Sequence, residues 1–313
     1  MRQRSAMHHS RRLLLLGATL LCAAAPVAAA APAARTAAEV IKQSTPADWR
    51  SPDAEHTLVM ELRGGVVLLE LAPRFAPLHV ANILKLARNG YYSGSAVVRV
   101  QDNYVAQWAD PSDEDKDKAK PLGDAAGALP AEFSIPFKGL ALNRMPDADG
   151  WAPVSGFVQG LPVAADPRRN RAWIAHCYGV VGAARGNPPD SSNGTSLYAI
   201  IGQAPRGLDL NITVVGRVLQ GMELLSALPR GPGPMGFYDQ PAQHVALTRV
   251  RVMADMAPSE RPALEVMRTD TRTWAALVES ARNPGGEWFA RKPGRTNLCN
   301  RAVPTRPTAP GGS

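Results

Sequence analysis

The 313-residue chain is poor in cysteine, with only Cys22, Cys177 and Cys299. His176-Cys177 is an adjacent pair without a second Cys or His at ligand spacing, which argues against a zinc centre. No Gly-x-Ser-x-Gly elbow and no Gly-x-x-x-x-Gly-Lys loop occurs, so neither a serine hydrolase nor a phosphate-cradling fold is indicated. No internal repeat is present, and no apolar run after residue 30 reaches the length of a membrane helix. Acid is missing from residues 1–30 altogether. Four of the eight net positive charges behind the pI of 9.7 lie there, on Arg2, Arg4, Arg11 and Arg12. The rest of the chain has no Lys/Arg stripe interleaved with aromatics, so nucleic acid is not an expected partner. Hydrophobic residues at 45% and charged residues at 20% exclude whole-chain disorder.

What is present begins with an export signature. Arg11-Arg12 precedes the apolar run Leu13–Ala25 and the small residues Ala28-Ala29-Ala30, the layout of a signal peptide cleaved near Ala30. Ser10-Arg11-Arg12 also resembles a twin-arginine signal. The bulky Leu21 before Cys22 speaks against a lipoprotein site. A periplasmic, monomeric protein without a stable membrane span is expected. Removing Cys22 leaves Cys177 and Cys299, which form one disulfide or stay as two separate buried thiols; spacing alone does not decide.

Residues 31–54, rich in Ala, Ser and Pro, read as an N-terminal arm. Thr57–Leu62 and Val66–Leu71 flank Arg63-Gly64-Gly65 and predict a hairpin. Pro77 to Asn89 predicts a helix, with Val80, Ile83, Leu84 and Ala87 at helical spacing and Asn89-Gly90 as the stop. Further strands are expected at Ala96–Val100, Tyr104–Trp108, Gly179–Ala184, Leu197–Ile201, Thr213–Leu219 and Val245–Met253, with a short helix over Met222–Leu228. Many short strands with few helices make a mainly β, closed architecture, either barrel or sandwich. About residues 111–177 form an insertion without clear periodicity, too long to be a plain loop. Residues 255–313 read as a helical extension, with helices over Glu260–Met267 and Thr273–Ala281 and a loose Pro-rich tail from Arg301.

Two blocks carry a resemblance. The first runs from Gly90-Tyr91-Tyr92-Ser93-Gly94 through Val98-Arg99-Val100 and Asn103-Tyr104-Val105-Ala106-Gln107 to Asp110. The second runs from Gly179-Val180-Val181-Gly182 through Ser196-Leu197-Tyr198-Ala199-Ile200 to Val215-Gly216-Arg217-Val218 and Gly221-Met222-Glu223. With Ala76-Pro77-Leu78-His79-Val80-Ala81-Asn82, their order and spacing resemble the cyclophilin-type peptidyl-prolyl cis-trans isomerases over about residues 55–254. The resemblance implies an eight-stranded antiparallel barrel capped by two helices, no cofactor, and proline-containing or unfolded exported polypeptide as partner. A cyclophilin-like chaperone or scaffold with little turnover is the alternative.

The resemblance also assigns roles. Arg99 is the donor near the prolyl nitrogen and Gln107 the polar anchor for substrate backbone. Tyr104, Val105, Ala184, Arg185, Tyr198, Leu208 and Ile212 fall on substrate-binding positions. Several depart from the family pattern. Tyr104 and Tyr198 replace phenylalanines, so each hydroxyl needs a partner. Val105 replaces a methionine, Arg185 an asparagine and Gly207 a tryptophan, while Ile212 stands where His or Tyr is frequent. Trp108-Ala109 replaces Gly-Gly and is expected to crowd the rim.

Overall fold

The computed structural model describes residues 34–113 and 115–308. The expected signal peptide lies outside them. Helix α1 (Ala37–Lys42) opens with a capping box in which Thr36 and Glu39 bond reciprocally, and the short strand β1 (Trp49–Arg50) follows. The expected hairpin forms as β2 (Thr57–Leu62) and β3 (Gly65–Leu71), and Gly64 takes φ +104° at the turn. Leu58, Met60 and Leu62 alternate with Val59, as Val67, Leu69 and Leu71 do with Leu68; the two sets face different cores. Helix α2 (Pro77–Arg88) starts on Pro77 and sends Val80, Ile83 and Ala87 into the barrel core.

Strands β4 (Ala96–Gln101) and β5 (Val105–Ala109) pair next. The insertion then contributes β6 (Asn143–Arg144), β7 (Val154–Val158), β8 (Leu161–Asp166) and β9 (Arg171–Ile174), joined in that order as an antiparallel sheet. No periodicity announced these strands, because β8 is buried at every residue and so shows no alternation. The chain returns to the barrel with β10 (Val180–Ala183), β11 (Leu197–Ile200), β12 (Val214–Gln220), helix α3 (Met222–Ser226) and β13 (Val245–Val252). The barrel closes in the order β10-β11-β5-β4-β13-β2-β3-β12, so of the two closed architectures left open by the sequence it is the barrel.

The C-terminal region departs from expectation at one element. Glu260–Met267 is not a helix: its second half is strand β14 (Leu264–Met267), set between β1 and β15 (Thr305–Pro307). Pro262 lies inside the expected helix, where it removes a donor and clashes with the preceding turn. Helix α4 (Arg272–Arg282) forms as expected, its first turn capped by the Thr271 hydroxyl, which accepts from the Trp274 N–H at 3.2 Å. The tail is not loose over its described residues, which include β15. Val40 and Trp49 from the arm join Phe157 and Val163 from the insertion and Trp274, Leu277 and Val303 from the C-terminal region in one apolar core. Val59, Leu68 and Val214 on the outer barrel wall belong to the same core. The three segments thus build a cap over one arc of the barrel, and the Cys177–Cys299 disulfide ties the C-terminal part of it down.

Candidate active site

The other arc, β4–β5–β11, gathers most of the residues singled out in the sequence. Antiparallel register sets Arg99 opposite Gln107 and Gln107 opposite Tyr198, a row crossing three neighbouring strands. A register shift between Val97 and Arg99 lets Val97 and Val100 both enter the barrel core while Arg99 faces out. Alternation does the same for β5 and β11. Ala106, Trp108, Leu197 and Ala199 are interior, whereas Val105, Tyr198 and Ile200 form a separate outer cluster. Half-buried Tyr104, Ala184 and Ile212 pack on that cluster.

Trp108 therefore does not crowd the rim. It is 2% exposed within the barrel, on the opposite face from Gln107. Gly207 leaves the rim open, with no atom within 4 Å of where a Cβ would stand.

The Arg99 guanidinium is held from three sides. Nη1 donates to Gln107 Oε1 at 3.0 Å, Nε to the Met235 carbonyl at 2.8 Å, and Nη2 to Gln101 Oε1. Its carbon sits 5.7 Å from the Tyr104 ring centroid and 5.3 Å from that of Phe237. Burial lowers its pKa from the ordinary value, yet an arginine starts so high that it stays cationic. Three of its five N–H groups are engaged in these bonds, leaving one on each terminal nitrogen. The Gln107 amide is fixed in turn by donating to Ser196 Oγ at 3.0 Å.

The Tyr198 hydroxyl has found its partner. Asp209 can only accept, so the His176 Nδ1 proton points to its Oδ1 at 3.0 Å, and Nε2 accepts from the Tyr198 O–H at 3.1 Å. Asp209 also accepts from Trp173 Nε1 at 2.9 Å and Arg206 Nε at 2.7 Å, and Arg206 forks onto Asp149. Burial raises the Asp209 pKa, but the bonds from His176, Arg206 and Trp173 outweigh it and hold the carboxyl below its usual range. Burial pushes the Tyr198 phenol well up, so it remains a donor. Gly182 is obligatory beneath this ring, since a Cβ there would come within 2.4 Å of the hydroxyl oxygen.

Two of the singled-out residues stand apart from the row. Arg185 spends its guanidinium on the backbone carbonyls of Asn211, Gly186 and Asn187, at 2.9, 2.7 and 2.9 Å, and so braces its own loop. Leu208 is half-buried on the 3-10 turn Arg206–Leu208.

Sequence reasoning gave no role in this site to Gln101, Ser196, His176 or Phe237. Gln101 was findable, two residues from Arg99 on one strand face. Phe237 was not, because it reaches Arg99 from an irregular Gly/Pro-rich loop. There Gly236 passes so close to β4 that a Cβ would meet the Gln101 Cα at 2.6 Å.

A serine, a histidine and a carboxylate also meet elsewhere: His79 Nε2 is 2.8 Å from Ser192 Oγ and Nδ1 is 2.7 Å from Glu132 Oε2. Ser192 and His79 are buried, and the Glu132 carboxylate also accepts the Leu78 and His79 N–H groups at 3.0 and 2.9 Å. This trio is a helix cap that pins the insertion to the start of α2, not a nucleophilic site.

A closed eight-stranded antiparallel barrel with an outward arginine–glutamine row beside an apolar floor defines a class of prolyl isomerases. The model of the cyclophilin type peptidyl-prolyl cis-trans isomerase/CLD family matches residues 57–252, and the chain belongs to that family. Probable peptidyl-prolyl cis-trans isomerases of Brucella suis and Brucella abortus are each 30% identical to it over 179 residues, covering 57% of this chain and 74% of theirs. The crystal structure of the cyclophilin AquaCyp293 from Hirschia baltica is similar with a TM-score of 0.67 at 28% identity. That likeness covers 83% of this chain and 94% of that one, and so extends beyond the family-model match into the cap.

Proposed function

We propose that this isomerase acts on X-Pro bonds of exported polypeptides, with Arg99 as its catalytic residue. Resonance sets a barrier of about 18–20 kcal/mol to rotation about a peptide bond. Uncatalysed prolyl exchange takes about 10–100 s, so millisecond exchange requires about 10⁴-fold, or roughly 5.5 kcal/mol. No nucleophile is needed; the site must hold the twisted amide more tightly than either planar form. Twisting localises the lone pair on the prolyl nitrogen, and a free terminal N–H of Arg99 is the donor that would meet it. The apolar floor of Val105, Tyr198 and Ile200, bordered by Tyr104, Ala184 and Ile212, takes the proline ring, and Gln107 holds both the guanidinium and the substrate backbone.

The carrying observation is that Arg99 is fixed by three acceptors beside this floor while keeping two N–H groups unused among the described residues. The test is exchange in a proline-containing peptide: Arg99→Ala should lower kcat/KM by about 10²-fold, and an unchanged rate would remove Arg99 from the mechanism. Periplasmic residence is supported by the N-terminal export signature and by the Cys177–Cys299 disulfide, which persists in oxidising compartments. The open rim at Gly207 favours a second reading, in which unfolded clients are held with little turnover. Client binding without acceleration of proline-limited refolding would select it.

A further inference from the structure

A cavity lies on the opposite arc of the barrel from Arg99, where β12, the insertion and the C-terminal segment meet. It has a volume of about 220 Å³. Phe157, Pro162, Val180, Leu219, Met222 and Val303 give it apolar walls, and the Cys177–Cys299 disulfide forms one side. Two guanidiniums, Arg217 and Arg301, also line it, and among the described residues no carboxylate does.

Arg217 is an unusual side chain to leave there. It is 7% exposed, and among the described residues its buried Nε and Nη2 have no hydrogen-bond partner. Its cross-strand neighbour Glu70 is already taken by a two-pronged pair with Arg50 at 2.6 and 2.7 Å. Burial lowers the Arg217 pKa to about 10, a fall that the Glu70 charge opposes and the Arg50 charge adds to. Arg301 is also lowered by burial, and its Nε reaches only the Asn300 carbonyl at 2.8 Å. Space is kept for the guanidinium as well: Gly160 sits at φ +86°, and a Cβ there would stand 2.8 Å from Arg217 Nη2. An unpaired buried charge is costly, and a forked donor in an apolar setting matches a carboxylate.

We propose that this pocket binds a small monocarboxylate, its charge on Arg217 and Arg301 and its short apolar tail against the walls. The size sets the tail length, since pockets for drug-sized ligands run to about 300–1,000 Å³.

Calorimetric titration of the mature protein with hexanoate tests it. One saturable site is expected, with hexanol, which keeps the tail and lacks the charge, showing no binding. Arg301→Gln should weaken hexanoate by about tenfold, and Arg217→Gln should abolish binding. Should Arg217→Gln fail to fold, Ala302→Trp serves instead, because exposed Ala302 lines the pocket and an indole there fills it while both arginines are retained. A peptide ending in leucine with a free carboxylate, binding more tightly than hexanoate and lost on amidation, would identify a polypeptide end as the source of the same chemistry. No saturable uptake, equal binding of hexanol, tighter binding of inorganic phosphate, or full affinity in Ala302→Trp would each overturn the proposal.

Discussion

The two arcs of the barrel wall are built from the same kind of strand and end differently. On β2, β3 and β12 the outward side chains Val59, Leu68 and Val214 are sealed under the cap and share its core with Phe157 and Trp274. On β4, β5 and β11 the outward side chains carry a small floor and a polar row that meets the cap at Tyr198 through His176 and leaves Arg99 outside it. Strand composition does not separate these fates; what packs on top does. The covered arc contributes stability, and the uncovered arc leaves Arg99 beside an open rim.

Breaking that division should give graded effects. The largest is expected at the disulfide, which closes a loop between residues 122 apart in sequence. Cys299→Ser, or reduction of the wild type, should lower the free energy of unfolding by about 4 kcal/mol, read from urea melts. A loss under about 1 kcal/mol would mean that the cap is held by packing alone. Leu68→Ala on the covered arc follows, at about 2–5 kcal/mol of stability, with isomerase activity per folded molecule unchanged. Arg99→Ala is its mirror image, costing about 10² in kcat/KM, or about 2.7 kcal/mol, while its urea midpoint stays close to wild type. If either variant moves both readouts together, the arcs are not separable.

Tyr198→Phe probes the seam between them. It should cost about 1 kcal/mol, because His176 Nε2 loses its donor in a buried site. Smallest is a pH effect at Asp209. Its folded pKa lies below the unfolded value of about 3.9. It therefore contributes stability that is present above that value and is lost as pH falls through the lower folded one. Asp209→Asn should flatten this acid-side slope; an unaltered slope between pH 5 and pH 2 would show that other carboxylates set it.

The barrel was legible because its strands obey simple rules. Hairpin glycines mark β2–β3, helical spacing and Pro77 mark α2, and ordered motif blocks single out Arg99 and Gln107. The cap was not legible for reasons equally physical. Strand β8, buried at all six residues, carries no alternating pattern. Strand β14 owes its conformation to pairing with β1 and β15, more than 200 residues before it and about 40 after it in the chain. Phe237 is brought to Arg99 by a loop whose path depends on glycine clearance rather than on periodicity. The trade of Trp108 for the family's glycine was misjudged for a related reason, since alternation along β5 turns that indole into the barrel.

The composition of the cap core carries a consequence for biogenesis. Val40 and Trp49 are made near the start of the chain and Val303 near its end, and they belong to one core. A polypeptide emerging amino-terminus first holds every barrel strand by residue 252 but lacks the last pieces of the cap until some fifty residues later. During that interval the core around Val59, Leu68 and Val214 lacks Trp274, Leu277 and Val303. The nascent chain therefore passes through a stage in which the barrel has all its strands and one greasy flank is only partly roofed.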